Sequence, residues 1–344
     1  MAITISEIAE EAQVSCATVS RVINRSGPVK QETREKVEEI IRKYNFSPHS
    51  VAGTHEKNEQ DTIAVIVPDI SNPFFSDIVK GINQEVDLHY IVAFYDTDEN
   101  EVKESLILKK LKKQVIKGLI IVPTTDTNEF NGDYLKLLES IGIPIYLVDR
   151  DVKYSNFDGI FLDDIKGAFD ATTAMLDEGH RRIAMISGPK TSKTGRDRLR
   201  GFQKAFMMKD LDYDENLVFY GDFRMESGYE LTNKILLMDP MPTAIFAANN
   251  EMGLGALKCI SEHHLKIPDD ISFIVFDEID TCDILNISYI SRPTKEVGRL
   301  AARQLIEKIK STSADTENEI ERRTLIPQLI LKGSEKMGEK WENE

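Results

Sequence analysis

Short runs of apolar residues recur along this chain, and an amphipathic stretch separates each from the next. The series begins with "TIAVIVPDI" (62–70), "YIVAFYDT" (90–97), "GLIIVPT" (118–124), "IPIYLVDR" (143–150), "DGIFLDD" (158–164) and "RIAMISGP" (182–189). It continues with "LVFYGDF" (217–223), "AIFAANN" (244–250) and "ISFIVFD" (271–277). A run that is apolar at every position, rather than at every second one, is buried on both faces. Helically spaced segments lie between, such as "FFSDIVKGINQEVDL" (74–88) and a charged stretch around 100–116. The alternation predicts parallel sheets covered by helices on both sides, the α/β class. Ligands of such sheets bind outside the carboxyl ends of the strands. There the sequence places Asp69, Asp149, Arg150, Asn249 and Asp277.

Residues 1–46 contain no such run. "TISEIAEEA" (4–12) has helical spacing, a tight turn follows at Gln13-Val14, and Ser15 can cap a second helix whose buried stripe is Val19, Val22 and Ile23. "KQETREKVEEIIRKYNF" (30–46) is a third amphipathic helix. Two short helices across a tight turn, with a supporting helix, make a helix-turn-helix. The same three helices could also be a cap with no ligand. The exposed residues of the second helix argue for DNA: Cys16, Ala17, Thr18, Ser20 and Arg21 are small or hydrogen-bonding, and arginine can read guanine bidentately.

Charge bears directly on that reading. The 344 residues carry a formal net charge of -15, from 43 Lys+Arg against 58 Asp+Glu. Residues 1–55 hold seven basic and seven acidic side chains, so the excess lies in the rest of the chain. A neutral head on an acidic body predicts modest, salt-sensitive DNA binding. Three cysteines, Cys16, Cys259 and Cys282, are widely spaced and form no C-x-x-C, which speaks against a zinc site or a disulfide framework. No apolar run approaches bilayer length, and "MAITISEIAEEAQ" is acidic where a signal peptide would be apolar, so no membrane partner and a cytoplasmic location are expected. The six histidines form no metal-spaced or triad-like motif, and G-x-G-x-x-G, P-loop and G-x-S-x-G motifs are absent, so neither an enzyme nor a cofactor is expected.

"TISEIAEEAQVSCATVSRVIN" resembles the headpiece of the LacI/GalR family of bacterial repressors. The likeness extends through "GHRRIAMISGP" (179–189), "RDRLRGF" (196–202), "PTAIFAANNEMGLGAL" (242–257) and "IPDDISFIVFD" (267–277). It implies a helix-turn-helix headpiece (1–46), a hinge (47–61), a core like the periplasmic sugar-binding proteins (62–334) and a short frayed tail (335–344). The core would be two discontinuous, doubly wound subdomains, with crossings near 161–164, 290–293 and 320–325. It also implies a homodimer on a pseudo-palindromic operator, with Ser15, Cys16, Ala17, Thr18 and Arg21 facing the DNA. A solute-binding protein with the same core would need a signal peptide and would lack residues 1–46. In "SPHSVAGTHEKNEQD" (47–61), His55 stands where related repressors insert an apolar leucine into the minor groove. Gly53 weakens a hinge helix there, and a plain linker remains the alternative.

Four aromatics stand at strand ends: Phe74, Phe75, Phe223 and Phe276. Among them fall Asn72, Asp149, Arg150, Arg198, Asn249 and Asp277. Flat apolar faces can sandwich a sugar ring while carboxylates, guanidinium groups and amides bond its hydroxyls. The set resembles the contact residues of ribose-binding proteins and repressors of ribose operons, which implies D-ribose as the effector. A structural ion-pair network is the competing reading of Asp149, Arg150 and Asp277, and a helix cap that of Asn250 and Glu251. The resemblance breaks at Arg292 in "YISRPT", where ribose-binding proteins carry glutamine. Pointing inward, Arg292 would make the pocket net positive and either replace the glutamine's bond to a sugar hydroxyl or admit a pentose phosphate; turned outward, it would pair with a surface acid.

Overall fold

The computed structural model describes residues 5–23, 27, 29–43, 61–126, 129–153, 156–311, 320–338 and 341. The chain forms two compact units, Met1–Glu59 and Gln60–Glu344. In the first, α1 (Ile5–Ala12), α2 (Cys16–Ile23) and α3 (Gln31–Lys43) bury Ile8, Ala12, Val19, Val22, Val37 and Ile40 against one another. The turn between α1 and α2 is made by Gln13 in the left-handed region (φ 55°), where Val14 N–H donates to Ala9 O at 2.9 Å. Ser15 Oγ accepts from Thr18 N–H at 3.2 Å and caps α2.

In the second unit the chain builds one sheet, crosses to build another, and returns. The first leg is β1 (Asp61–Val67), α4 (Pro73–Glu85), β2 (Tyr90–Asp96), α5 (Glu101–Leu111), β3 (Gly118–Ile121), α6 (Glu129–Ser140), β4 (Ile145–Asp149) and β5 (Asp158–Leu162). The second leg is α7 (Asp164–Asp177), β6 (Ile183–Ser187), α8 (Lys193–Met208), β7 (Val218–Tyr220), α9 (Met225–Leu236), β8 (Ala244–Ala247), α10 (Asn250–Glu262), β9 (Ser272–Phe276), α11 (Cys282–Leu285) and β10 (Ser288–Ser291). The chain then returns through α12 (Thr294–Ser311) and β11 (Arg322–Leu325), and crosses once more to β12 (Gln328–Ile330). Among the described residues the strands form two six-stranded sheets, ordered β11-β5-β4-β3-β1-β2 and β12-β10-β9-β8-β6-β7. Pairing is parallel throughout, except that β12 runs antiparallel to β10.

The two central strand sets explain the apolar runs. Ile63, Val65 and Ile120 face one helical layer with α4 and α12, whereas Ala64, Ile66 and Ile121 face the other with α5 and α6. The chain passes between sheets at Asp163, at Arg292-Pro293 and at Ile326-Pro327. Arg292, at the second crossing, pairs with Asp149 of the first sheet and with Asp277 beside the second.

The expected frayed tail is packed up to Gly338. Ser334 Oγ donates to Phe273 O at 2.5 Å, and the buried Glu335 carboxylate accepts from Ser288 Oγ and from Gly333 N–H. His180, fully buried, bonds Thr243 Oγ1 at 2.8 Å and Glu335 O at 3.2 Å. Buried hydroxyls and an imidazole need partners, and the segment after β12 supplies them.

Candidate functional site

The carboxyl ends of both sheets converge on one cavity of about 340 Å³, including its open mouth. Its lining includes Asn72, Phe74, Phe75, Asp149, Arg150, Arg198, Phe223, Asn249, Asp277 and Arg292. Asn72 is the N-cap of α4, with its side-chain oxygen accepting from Phe74 N–H at 2.9 Å and Pro73 starting the helix. Asn249 caps α10 in the same way and donates through Nδ2 to Phe223 O at 2.9 Å. Asp149 ends β4, and Asp277 immediately follows β9. Asp149 (φ 62°), Phe223 (φ 69°), Asp277 (φ 73°) and the neighbouring Glu99 (φ 51°) all adopt left-handed backbone. Non-glycine residues in that region carry strain, and such residues cluster at ligand sites.

Arg292 points inward and joins the two sheets. Its Nε and Nη2 donate to the two carboxylate oxygens of Asp277, the second at 2.5 Å, and Nη1 donates to Asp149 Oδ1 at 2.9 Å. The guanidinium lies 3.6 Å above the Phe74 ring centroid. Burial works to discharge it, but Asp277, Asp149 and Asp164 prevail and hold its pKa above the ordinary guanidinium value. Arg198 pairs with Asp164 at 2.9 Å and donates to Ala248 O. Burial raises the Asp164 carboxyl pKa, opposed by Arg198 and Arg292. Arg150 is gripped bidentately by Glu99 at 2.7 and 2.8 Å and lies 5.7 Å from the Phe75 ring centroid. Glu99, Asp149, Asp164 and Asp277 thus face Arg150, Arg198 and Arg292. The expected positive excess from an inward Arg292 does not arise, because four carboxylates face the three guanidinium groups.

Four further differences concern which side chains reach the cavity. Phe276 is fully buried and is not part of the lining: its ring packs against Gly167 of α7 and is covered by the Arg198 guanidinium at 3.9 Å. Both faces of β9 are buried, so an apolar run gives no sign of which face is which. Asn250 is not the helix cap, since Asn249 is; it lines the cavity and exchanges two hydrogen bonds with Asn72, at 2.9 and 3.2 Å. Glu99 and Thr194 also line it. Glu99 sits in "DTDENE", which reads as a solvated acidic turn; the only signal was its place just after a strand end. Asp69 does not line the cavity and instead accepts from Ser71 N–H at 2.8 Å.

A second chamber opens beside the first and shares Glu99, Arg150 and Phe223 with it. Its rim carries two ion pairs between the sheets, Arg196 to Asp126 at 2.7 Å and Arg224 to Asp98 at 3.0 Å. Among the described residues no group of His, Cys, Asp and Glu could hold a metal ion, and no helix is long and apolar enough to cross a membrane.

In the first unit, Ser15, Cys16 and Arg21 are exposed and Thr18 and Ser20 half-buried, all on or beside α2. Ala17 lies on the same helix. His55 falls outside the described residues.

Comparison with known proteins bears on both units. Residues 4–49 match the model of bacterial regulatory proteins of the lacI family, and residues 172–334 match a periplasmic binding protein-like domain. The chain is 32% identical to the HTH-type transcriptional repressor PurR of Histophilus somni, across 97% of this chain and 99% of that one. It is 32% identical to the HTH-type transcriptional regulator DegA of Bacillus subtilis, across 87% and 89%. A LacI family transcriptional regulator from Enterococcus faecalis V583 with bound ribose superposes with a TM-score of 0.69 at 27% identity, covering 80% of this chain and 98% of that one. A helix-turn-helix unit followed by two parallel sheets meeting at a cleft, matched over nearly its whole length, makes this chain a member of the lacI family of bacterial regulatory proteins.

Proposed function

We propose that this chain is a sugar-responsive transcriptional repressor of the cytoplasm, acting as a homodimer on a pseudo-palindromic operator, with D-ribose as its inducer. The observation that carries the reading is the cavity itself. Ten residues expected to contact a pentose line it, and its carboxylates and guanidiniums leave no positive excess for a phosphate. A ring would stack on Phe74, Phe75 and Phe223, while Asp149, Asp277, Arg198 and Asn249 bond its hydroxyls. A pentose phosphate fits this charge balance less well. The ribose bound by the Enterococcus faecalis regulator is consistent with the same chemistry.

The head (1–46) reads DNA through Ser15, Cys16, Ala17, Thr18 and Arg21. The hinge (47–61) joins the head to the core (62–334), which binds sugar. Exposed apolar side chains at the edge strand β2, Ile91 and Phe94, and in α11, Ile284 and Leu285, are surface that a second copy would cover. Sugar shifts the population of core arrangements, and operator affinity changes by the difference in sugar affinity of the two. The test is selection of binding sites by the full chain from random duplexes, followed by anisotropy titration with and without D-ribose. A pseudo-palindrome released by ribose is expected. A selected duplex whose affinity ignores ribose would overturn the assignment of the inducer.

A further inference from the structure

The groups that a neutral sugar would need are already taken. Both Asp277 oxygens and Asp149 Oδ1 accept from Arg292, and the Phe74 ring face is covered by the same guanidinium. The Arg292 side chain is as buried as the carboxylates it binds. One side chain thus fills the hydrogen-bonding and stacking roles of a ligand, between a residue of the first sheet and a residue of the second. It also sits at a crossing between the sheets, directly before Pro293 and α12.

We propose that Arg292 is a tethered occupant of the cleft: it closes the two halves of the core on each other in the absence of sugar, and a neutral sugar must displace it to bind. Three features argue for a tether rather than a passive ion pair. The guanidinium spans the cleft instead of lying within one half. Its planar fork takes both oxygens of one carboxylate and reaches the second, which a single bound ligand would otherwise do. The anchor of the side chain is the crossing at Arg292-Pro293, so its release acts on a segment that joins the two halves. Asn72 with Asn250, Arg196 with Asp126 and Arg224 with Asp98 complete the closed state.

The tether lowers sugar affinity by the fraction of time that it leaves the cleft. A released state populated at a tenth or less implies a site at least about tenfold weaker than the same cleft without the tether. A carboxylate or phosphate ligand gains little by pulling Arg292 away, since it would then face Asp149, Asp164 and Asp277.

The experiment has two arms, both on the full chain. The ligand arm rests on the sugar reading given above; the first arm does not. Spin labels are placed at Lys103→Cys on α5 and Glu226→Cys on α9, in a Cys16→Ser background, and the distance distribution is measured without sugar. With labelled chain diluted into unlabelled chain, a single short distance is expected for the chain with Arg292, and a longer, broader one for Arg292→Gln. Arg292→Lys keeps the charge but loses the fork, and is expected to lie between; it carries the test if Arg292→Gln does not fold. An open distribution with Arg292 present, or distributions unchanged in the folded variants, would overturn the tether. In the second arm, calorimetry with D-ribose is expected to give about tenfold or greater tightening in Arg292→Gln. Equal or weaker binding than the parent would make Arg292 a structural ion pair and overturn the proposal. If ribose binds neither protein, the inducer is wrong, and the distances alone decide the tether.

Discussion

Asp277 combines two demands that rarely meet in one residue. Its backbone is left-handed, and its side chain is buried against Arg292. Aspartate and asparagine tolerate that backbone better than other residues with a Cβ, and asparagine keeps one acceptor. Asp277→Ala is therefore expected to cost about 3–5 kcal/mol, the usual loss on breaking a buried ion pair, and Asp277→Asn distinctly less. Urea denaturation of both variants checks the order; equal losses would mean that backbone strain plays no part. In the first unit, Arg21→Ala is expected to weaken binding to a selected operator by about 1–3 kcal/mol while ribose binding and core melting stay unchanged. A gel-shift titration with unaltered operator affinity would remove Arg21 from the reading face. At this scale the sequence was legible where chemistry and strand-end position coincide, as at Asn72, Asp149 and Asn249. It was not legible at Glu99 or Asn250, whose roles come from partners 51 and 178 residues away. The context of Arg292 left both an inward and an outward side chain open, and its neutralisation depends on carboxylates gathered only by the fold.

Between elements, α4 and α12 approach closely, and they bring an early and a late segment of the chain together in one half of the core. A Cβ on Gly81 would stand 2.1 Å from Lys295 O, and one on Gly298 would stand 2.1 Å from Ile78 O. The two backbones touch through these glycines, and α12 follows directly from the crossing that holds Arg292. Gly298→Ala is expected to destabilise by about 1–3 kcal/mol through forced separation, and to disturb the cleft as well, since α12 must shift. Thermal melting with and without D-ribose checks both effects; a melting temperature equal to the parent would show that the helices give way freely. The central strands were readable because they are apolar at every position. β11 was not, because "RRTL" is exposed and charged, and its pairing with β5 comes only from the returning chain. The segment after β12 reads as a charged tail, yet it is the partner of Ser288 and His180, which periodicity does not reveal.

For the whole molecule, pH and ligand are the two levers. His180 has its pKa lowered from 6.5, chiefly by burial. The unfolded chain takes up this proton near pH 6.5, and the folded chain only at a lower pH. The stability from neutral His180 is therefore complete above pH 6.5 and declines as pH falls through the folded value. His180→Gln is expected to be less stable at pH 7.5 and to lose less than the parent between pH 7 and 5. Parallel losses in denaturation at the two pH values would assign the acid sensitivity elsewhere. The central claim is that a cleft without positive excess takes a neutral pentose. Calorimetry of the full chain with D-ribose and with ribose 5-phosphate tests it most directly. Saturable heat from D-ribose, reached by millimolar concentration, with none from the phosphate, is the predicted result; tight binding of ribose 5-phosphate with no heat from ribose would contradict it.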